Sequence, residues 1–183
     1  YYINILDGIK NRVSDKVEVL YSEGCKIPKP GEKSKFDMAG TIGDKSSEDN
    51  NVPGEDLISK AKEAAAESDL VVLGIGWTEY TTREAWNHHW GDNYSFEMFG
   101  EQIRLIKELA ELNVPMIAVV IGGNPSTDKE LYDLVPTIYQ CWYLGSETGN
   151  AVADVILGKY NPSGKLAVSI PRSVGHLPCF YNY

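Results

Sequence analysis

The sequence lacks several features that would place it in common functional classes. No apolar run approaches the roughly 20 residues that a membrane-spanning helix needs. Its three cysteines, Cys25, Cys141 and Cys179, are an odd number without metal-ligand spacing, so we expect buried free thiols. Basic residues are few: 17 Lys and Arg face 26 Asp and Glu, and the formal net charge is -9. Such a charge disfavours nucleic acid and anionic membrane surfaces as partners.

Signals of export and of a chain start are missing as well. The sequence begins at Tyr1-Tyr2 without an initiating Met or a signal-peptide pattern, so we expect a fragment of a longer protein. Its 183 residues suit one α/β domain with a full-sized core. We therefore predict a single domain over residues 1–183.

Apolar runs alternate with helical patterns along most of the chain. A residue spacing near 3.6 predicts helices, and short apolar runs or strict alternation predict strands. The predicted helices are residues 3–13, 55–67, 100–112, 128–134 and 149–157. The predicted strands are residues 16–21, 69–75, 115–121, 137–143 and 165–170, and residues 26–52 are expected to form a long surface loop.

This order of elements predicts an α/β fold, a three-layer sandwich with a mostly parallel sheet and flavodoxin-like topology. In such sheets ligand sites form at the carboxyl ends of the strands. Residues 74–77, 122–125 and 142–145 follow three of the predicted strands. If the protein has a site, we expect these three segments to build it.

The segment of residues 76–99, which we call the polar loop, has the sequence GWTEYTTREAWNHHWGDNYSFEMF. It concentrates tryptophans, carboxylates and histidines, which are side chains able to bind a ligand or transfer protons. Indole rings stack on the C–H faces of sugars, and carboxylates accept hydrogen bonds from hydroxyls and transfer protons. Its composition therefore favours a sugar site. The alternative is a surface loop whose tryptophans pack against the sheet.

Other motifs are incomplete. Gly74-Ile75-Gly76 starts a GxGxxG pattern, but Glu79 stands at the third glycine and no helix follows directly. His88-His89 has no further ligand cluster nearby, and no GxSxG nucleophile motif occurs. We therefore expect neither a metal nor an organic cofactor.

The last 42 residues resemble a known family. The run WYLGSETGNAVADVILGKYNPSGKLAVSIPRSVGHLPCFYNY, residues 142–183, is similar to the signature of the α/β sandwich domain of glycoside hydrolase family 3. The start of the chain, LDGIKNRV followed by KVEVLYSEGC, also resembles the family. The resemblance thus covers essentially the whole chain.

The resemblance implies a role in a retaining exo-β-glycosidase of the β-glucosidase or β-xylosidase type. In that family a preceding (β/α) barrel supplies an Asp nucleophile, and this domain supplies the general acid/base from the loop after a strand such as 70–75. In the family the acid/base Glu follows the strand's terminal Gly by about eight residues, which places the acid/base at Glu84, and Glu79 is the second candidate. The predicted substrate-binding residues are Trp77, Arg83, Trp86, His88 and Trp90. Export to the periplasm or medium is expected from the resemblance alone.

Departures from the family pattern keep an alternative open. Asn87-His88 stands where the family has Asp-Arg, and Asn124 stands where it has Arg. The alternative is a non-catalytic carbohydrate-binding or inter-domain module. A free-standing flavodoxin-like signalling domain is disfavoured, because the strand ends carry neither an acidic cluster nor a phosphate loop.

Overall fold

The structure, a computed structural model, describes residues 1–27, 54–82 and 95–182, without the side chains of residues 54–56, 79 and 80. Helices and strands alternate along most of these residues. The elements are α1 (Ile5–Arg12), α2 (Gly54–Ala66), β1 (Val71–Gly76), α3 (Glu79–Thr82), α4 (Gln102–Ala110), β2 (Met116–Ile121), α5 (Lys129–Leu134), β3 (Thr137–Trp142) and α6 (Thr148–Ile156). A short 3-10 turn, Val174–His176, lies near the carboxyl end.

The three strands form a parallel sheet in the order β1-β2-β3. In register, Leu73 lies beside Ala118, and Ala118 lies beside Ile138. Side chains alternate between the two faces of a strand, so these three share one face. The predicted α/β class and parallel sheet are therefore confirmed.

Helices cover both faces of the sheet. On the face of Leu73 and Ala118, helices α2, α4 and α5 contribute Ile58, Ile106 and Leu131 to one buried apolar cluster. Gly74 points to the opposite face, where a Cβ atom on it would lie 3.7 Å from Cδ1 of Ile5 in α1. Sheet strands covered on both faces need continuous apolar sequences, and this requirement explains the runs in β1 and β2.

Helices α1 and α6 approach each other so closely that only glycines fit at the contact. A Cβ on Gly149 would lie 1.9 Å from the carbonyl oxygen of Asn4, and one on Gly8 would lie 2.0 Å from backbone atoms of Gly149. The N–H of Gly149 donates to the carbonyl of Ile3 at 2.9 Å. At the other end of the pair, Arg12 and Asp154 form an ion pair at 2.9 Å.

Two predicted strands are wrong. Residues 16–21 and 165–170 are described, and neither belongs to a strand. Most of their apolar side chains are exposed, with 67% of Tyr21 and 55% of Leu166 accessible. Alternation gives a strand only where a neighbouring strand accepts its hydrogen bonds, and among the described residues the sheet ends at β1 and β3. The sequence also predicts that β3 is fully buried, whereas it is half-buried along its length.

The remaining predictions concern the helices, the long loop and the cysteines. The five predicted helices are confirmed, with shorter bounds at most ends. The predicted surface loop of residues 26–52 lies outside the described residues beyond Ile27. All three cysteines are free, as expected, but they are partly rather than fully buried. In the part of the chain that is described, no helix combines the length and apolarity needed to cross a bilayer.

We predict that Gly149→Ala destabilises the fold strongly, because its methyl group would meet backbone atoms that cannot move aside. The free energy of unfolding, measured by urea denaturation, should fall by about 3 kcal/mol. Gly164→Ala is the matched control, since a Cβ there meets nothing within 4 Å. A Gly149→Ala protein whose stability stays within about 0.5 kcal/mol of the wild type would contradict the close helix contact.

Candidate active site

The carboxyl ends of the three strands meet at one edge of the sheet. The N–H of Trp77, just after β1, donates to the carbonyl of Ile121 at 2.8 Å. The N–H of Gly122, just after β2, donates to the carbonyl of Trp142 at 3.2 Å. The parallel topology thus brings together the three predicted segments, at the edge where α/β proteins bind ligands.

Glycines let these segments pass each other at backbone contact. Gly76 and Gly122 have φ of 132° and 143°, a conformation that favours glycine. A Cβ on Gly76 would lie 1.9 Å from the carbonyl oxygen of Ile121, and one on Gly122 would lie 2.8 Å from Cβ of Trp77. Side chains at either position would push the polar loop away from β2.

The first turn of the polar loop is the short helix α3, held by its own threonines. The hydroxyl of Thr81 accepts a hydrogen bond from the N–H of Thr78 at 2.9 Å, as the third residue of a helix does in a capping box. Thr81 is buried. Gly123 lies beside this turn, because a Cβ on it would be 3.5 Å from the methyl of Thr82 and 3.2 Å from the ring of Tyr143.

Gln102, the first residue of α4, joins the two ends of the polar loop. Its side-chain oxygen accepts from the N–H of Gly76 at 2.7 Å. Its side-chain nitrogen donates to the carbonyls of Gly76 and Phe99, each at 2.9 Å. The residue is only 1% exposed. We call Gly76, Phe99 and Gln102 the loop base.

Asp128 holds the returning arm of the polar loop. One oxygen of its carboxylate accepts from the N–H of Met98 and from the hydroxyl of Ser126, both at 2.8 Å. The N–H of Thr127 donates to the carbonyl of Phe96 at 3.2 Å. Burial raises the pKa of Asp128, and the two hydrogen bonds that it accepts oppose this rise.

Most predicted site residues lie outside the described residues. These are the acid/base candidate Glu84 and the predicted sugar contacts Arg83, Trp86, His88 and Trp90. Of Glu79, only the backbone is described, at the first position of α3. The assignments of all six residues stay predictions.

Trp77 is the one predicted sugar contact whose side chain is described. It is 4% exposed and packs in the apolar cluster that α2, α4 and α5 form on the sheet. Its indole N–H is buried without a hydrogen-bond partner among the described residues. A sugar could stack on this indole only if a ring face became accessible, so its predicted role stays a prediction.

The sequence analysis gave neither Gln102 nor Asp128 a role in the site. The helical spacing could have identified Gln102, because it lies on the same face of α4 as the buried Leu105, Ile106 and Leu109. A polar residue on the apolar face of a helix needs buried hydrogen-bond partners. Asp128 carried no comparable signal, since Asp before a helix is typical of an N-terminal cap.

The chain is similar to known proteins along its whole length. The model of the family described as "Glycosyl hydrolase family 3 C-terminal domain" matches residues 1–183. A β-xylosidase of Formosa agariphila is 33% identical over 99% of this chain, and a periplasmic β-glucosidase of Salmonella typhimurium is 32% identical over 99%. The chain spans only 21% and 23% of the lengths of these two relatives.

Solved structures of β-glucosidases share the fold. One from Erythrobacter marinus superposes with a TM-score of 0.79 at 31% identity, over 98% of this chain and 24% of its own. One from Listeria innocua superposes with a TM-score of 0.71 at 26% identity, over the whole of this chain and 21% of its own.

We predict that the stability contribution of Asp128 depends on pH. Because its pKa is raised in the folded protein, the folded state binds a proton more tightly than the unfolded one. The stability that this proton confers is present below the unfolded pKa, about 3.9, and is lost as the pH rises through the folded value. The free energy of unfolding of the wild type, relative to Asp128→Asn, should therefore fall as the pH rises from about 4.

The measurement is urea denaturation of both proteins across this pH range. Asp69→Asn removes an exposed carboxylate and controls for the change in net charge. A wild-type advantage over Asp128→Asn that grows with rising pH would contradict the burial argument.

Proposed function

This chain belongs to the glycosyl hydrolase family 3 C-terminal domains, whose family model matches residues 1–183, and from this premise we propose its function. We propose that the domain completes the active site of a retaining exo-β-glycosidase acting on β-linked glucosides or xylosides. The relatives named above are β-glucosidases and β-xylosidases several times longer than this chain. The remainder of the parent enzyme includes a barrel domain that carries the nucleophile.

One observation carries the proposal. The polar loop leaves β1 at the carboxyl edge of the sheet and leads into α4, and both of its ends are fixed by buried polar side chains, Gln102 and Asp128. A loop with no function does not need to be anchored in this way, whereas a catalytic group must be held in place. The family resemblance and the anchoring of the polar loop therefore support the same location for the proposed acid/base.

Glu84 is the proposed acid/base, eight positions after Gly76. In the first step an Asp of the barrel attacks the anomeric carbon, the glycosidic C–O bond breaks, and Glu84 gives its proton to the leaving oxygen. In the second step Glu84 takes a proton from water, whose oxygen displaces the Asp and releases the sugar. Retention requires the two carboxyl groups to lie about 5 Å apart. Glu79, on α3, is the second candidate.

The sugar-contacting side chains would come from the same loop. Arg83, Trp86, His88 and Trp90 surround Glu84 in the sequence, and they supply the indole faces and hydrogen-bond donors that a pyranose needs. A carboxylate alone cannot perform both steps, so the isolated chain would not cleave glycosides. The parent enzyme would be periplasmic or secreted; the Salmonella relative is named a periplasmic β-glucosidase.

A second function, a non-catalytic carbohydrate-binding module, is favoured by Asn124. This residue replaces the Arg that the family places after the strand corresponding to β2. Its side-chain nitrogen is buried without a partner among the described residues. A ligand hydroxyl could accept a hydrogen bond from this amide only if the residues that cover it moved aside, and such a contact needs no acid/base.

We predict that Glu84→Gln lowers kcat/KM of the full-length parent on phenyl β-glycosides by about 100-fold or more, because the leaving oxygen loses its proton donor. Azide should restore turnover of a dinitrophenyl glycoside and yield the glycosyl azide of retained configuration. Glu79→Gln tests the second candidate. Glu97→Gln is the control, since Glu97 is an exposed carboxylate on the returning arm of the same loop.

The two variants distinguish Glu84 from Glu79 as the acid/base, and the activity of the parent enzyme tests the glycosidase proposal. Loss and azide rescue in Glu79→Gln, with a wild-type-like Glu84→Gln, would move the acid/base to Glu79. A parent that is inert on aryl β-glucosides and β-xylosides would contradict the glycosidase proposal.

The binding-module reading predicts a different result for the isolated chain. Calorimetry with glucose, xylose and cellobiose should then show binding that Asn124→Ala abolishes, while the full-length parent cleaves nothing. Under the glycosidase proposal the isolated chain turns over no nitrophenyl glycoside, since it lacks the nucleophile. Turnover by the isolated chain that Glu84→Gln abolishes would contradict this two-domain arrangement.

A further inference from the structure

We propose that Gln102 is a positioning residue for the acid/base: its side-chain amide fixes both ends of the polar loop and thereby the place from which the proton is delivered. The inference rests on the proposed function for its catalytic consequence. Its structural part rests on the loop base alone.

The amide of Gln102 occupies a place that a neighbouring strand would otherwise fill. Hydrogen bonds from Val71 to Pro115 and from Trp77 to Ile121 show that the odd-numbered residues of β1 pair with β2. Backbone groups of alternate residues point to opposite edges of a strand, so the N–H and C=O of Gly76 point to the open edge of β1. The side-chain oxygen and nitrogen of Gln102 bind both groups, at 2.7 and 2.9 Å.

The second N–H of the same amide makes the connection across the loop. It donates to the carbonyl of Phe99 at 2.9 Å, so one planar group holds the residue where the polar loop begins and the residue where it ends. Both N–H groups and the oxygen are thus used. The side chain cannot turn without leaving buried backbone groups unpaired, and this makes its geometry unique.

Helix α4 holds the amide itself in place. Gln102 is on the helix face that buries Leu105, Ile106 and Leu109 in the main core, and Ile106 is 0% exposed. The positions of Gly76 and Phe99 are therefore set by the core rather than by the loop.

This matters for catalysis because proton transfer needs a heavy-atom separation of about 2.6–3.2 Å. Glu84 follows Gly76 by eight positions, and a carboxyl displaced by about 1 Å can lose about 100-fold in rate. The effect must depend on the leaving group. A dinitrophenolate departs without protonation, whereas a phenolate needs the acid.

The test uses the full-length parent with Gln102→Met, which keeps the length of the side chain and removes all three hydrogen bonds, and Gln102→Glu, which keeps the acceptor and loses the donors. Ile106→Val is the matched control, because it weakens the core on the same helix without touching the loop base. For each protein, kcat/KM is measured on the phenyl and the dinitrophenyl glycoside of the sugar that the parent cleaves. The ratio of the two values is independent of any unfolded fraction.

We expect both Gln102 variants to lose about 10- to 100-fold on the phenyl glycoside and less than about threefold on the dinitrophenyl glycoside. Ile106→Val should keep the wild-type ratio. Equal losses on both substrates in the Gln102 variants, alongside a leaving-group effect in Glu84→Gln, would overturn the positioning role and leave the proposed function intact.

A second readout does not need activity. Hydrogen–deuterium exchange, followed by mass spectrometry, measures the protection of the Gly76 N–H, which donates to the side-chain oxygen of Gln102. Loss of the loop base should raise that exchange rate about tenfold in Gln102→Met relative to Ile106→Val, since exchange follows the population of the open form. An unchanged rate would overturn the anchoring itself, and a parent inert on all glycosides would count against the proposed function only.

Discussion

Backbone groups buried where a strand ends need partners, and this constraint shapes the carboxyl edge of the sheet. β1 is an edge strand in the described sheet, so no strand lies on its outer side to accept from the N–H of Gly76 and donate to its C=O. The amide of Gln102 satisfies both groups and also binds the carbonyl of Phe99. The first and last residues of the polar loop are therefore held by one side chain, and Asp128 holds the residue before the last.

Close backbone approach is the complementary requirement. Gly76 and Gly122 allow the segments after β1 and β2 to touch, and Gly149 allows α6 to lie against the start of α1. At each place a methyl group would meet backbone atoms or the Cβ of a buried tryptophan. The main core and the contact between α1 and α6 thus hold the sheet from its two faces, while the edge that carries the polar loop is held by hydrogen bonds.

The sequence predicted the parts of this fold that depend on apolar periodicity. The strands β1, β2 and β3 and the five predicted helices are apolar runs or stripes whose burial follows directly from their spacing. Residues 16–21 and 165–170 alternate in the same way but have no pairing partner in the described sheet, and a partner strand is not encoded in local pattern. Gln102 stands out in the sequence as a polar residue on the buried face of a helix, but its three partner groups depend on tertiary structure. The family resemblance is confirmed by the whole-chain match, and the acid/base that it predicts in the polar loop stays a prediction.

Under the proposed function the active site is divided between two domains, which makes the loop base more important than it would be within one domain. The nucleophile and the acid/base would then stand about 5 Å apart, with their positions fixed by different cores. Any movement at the ends of the polar loop would add to the movement between the domains. The three hydrogen bonds of the 1% exposed Gln102 side chain would remove the first contribution, so that the distance between the two carboxyl groups would depend on how the domains dock. The proposal also lets substrate preference change through Trp86, His88 or Trp90, farther along the sequence of the loop, without a change in the loop base.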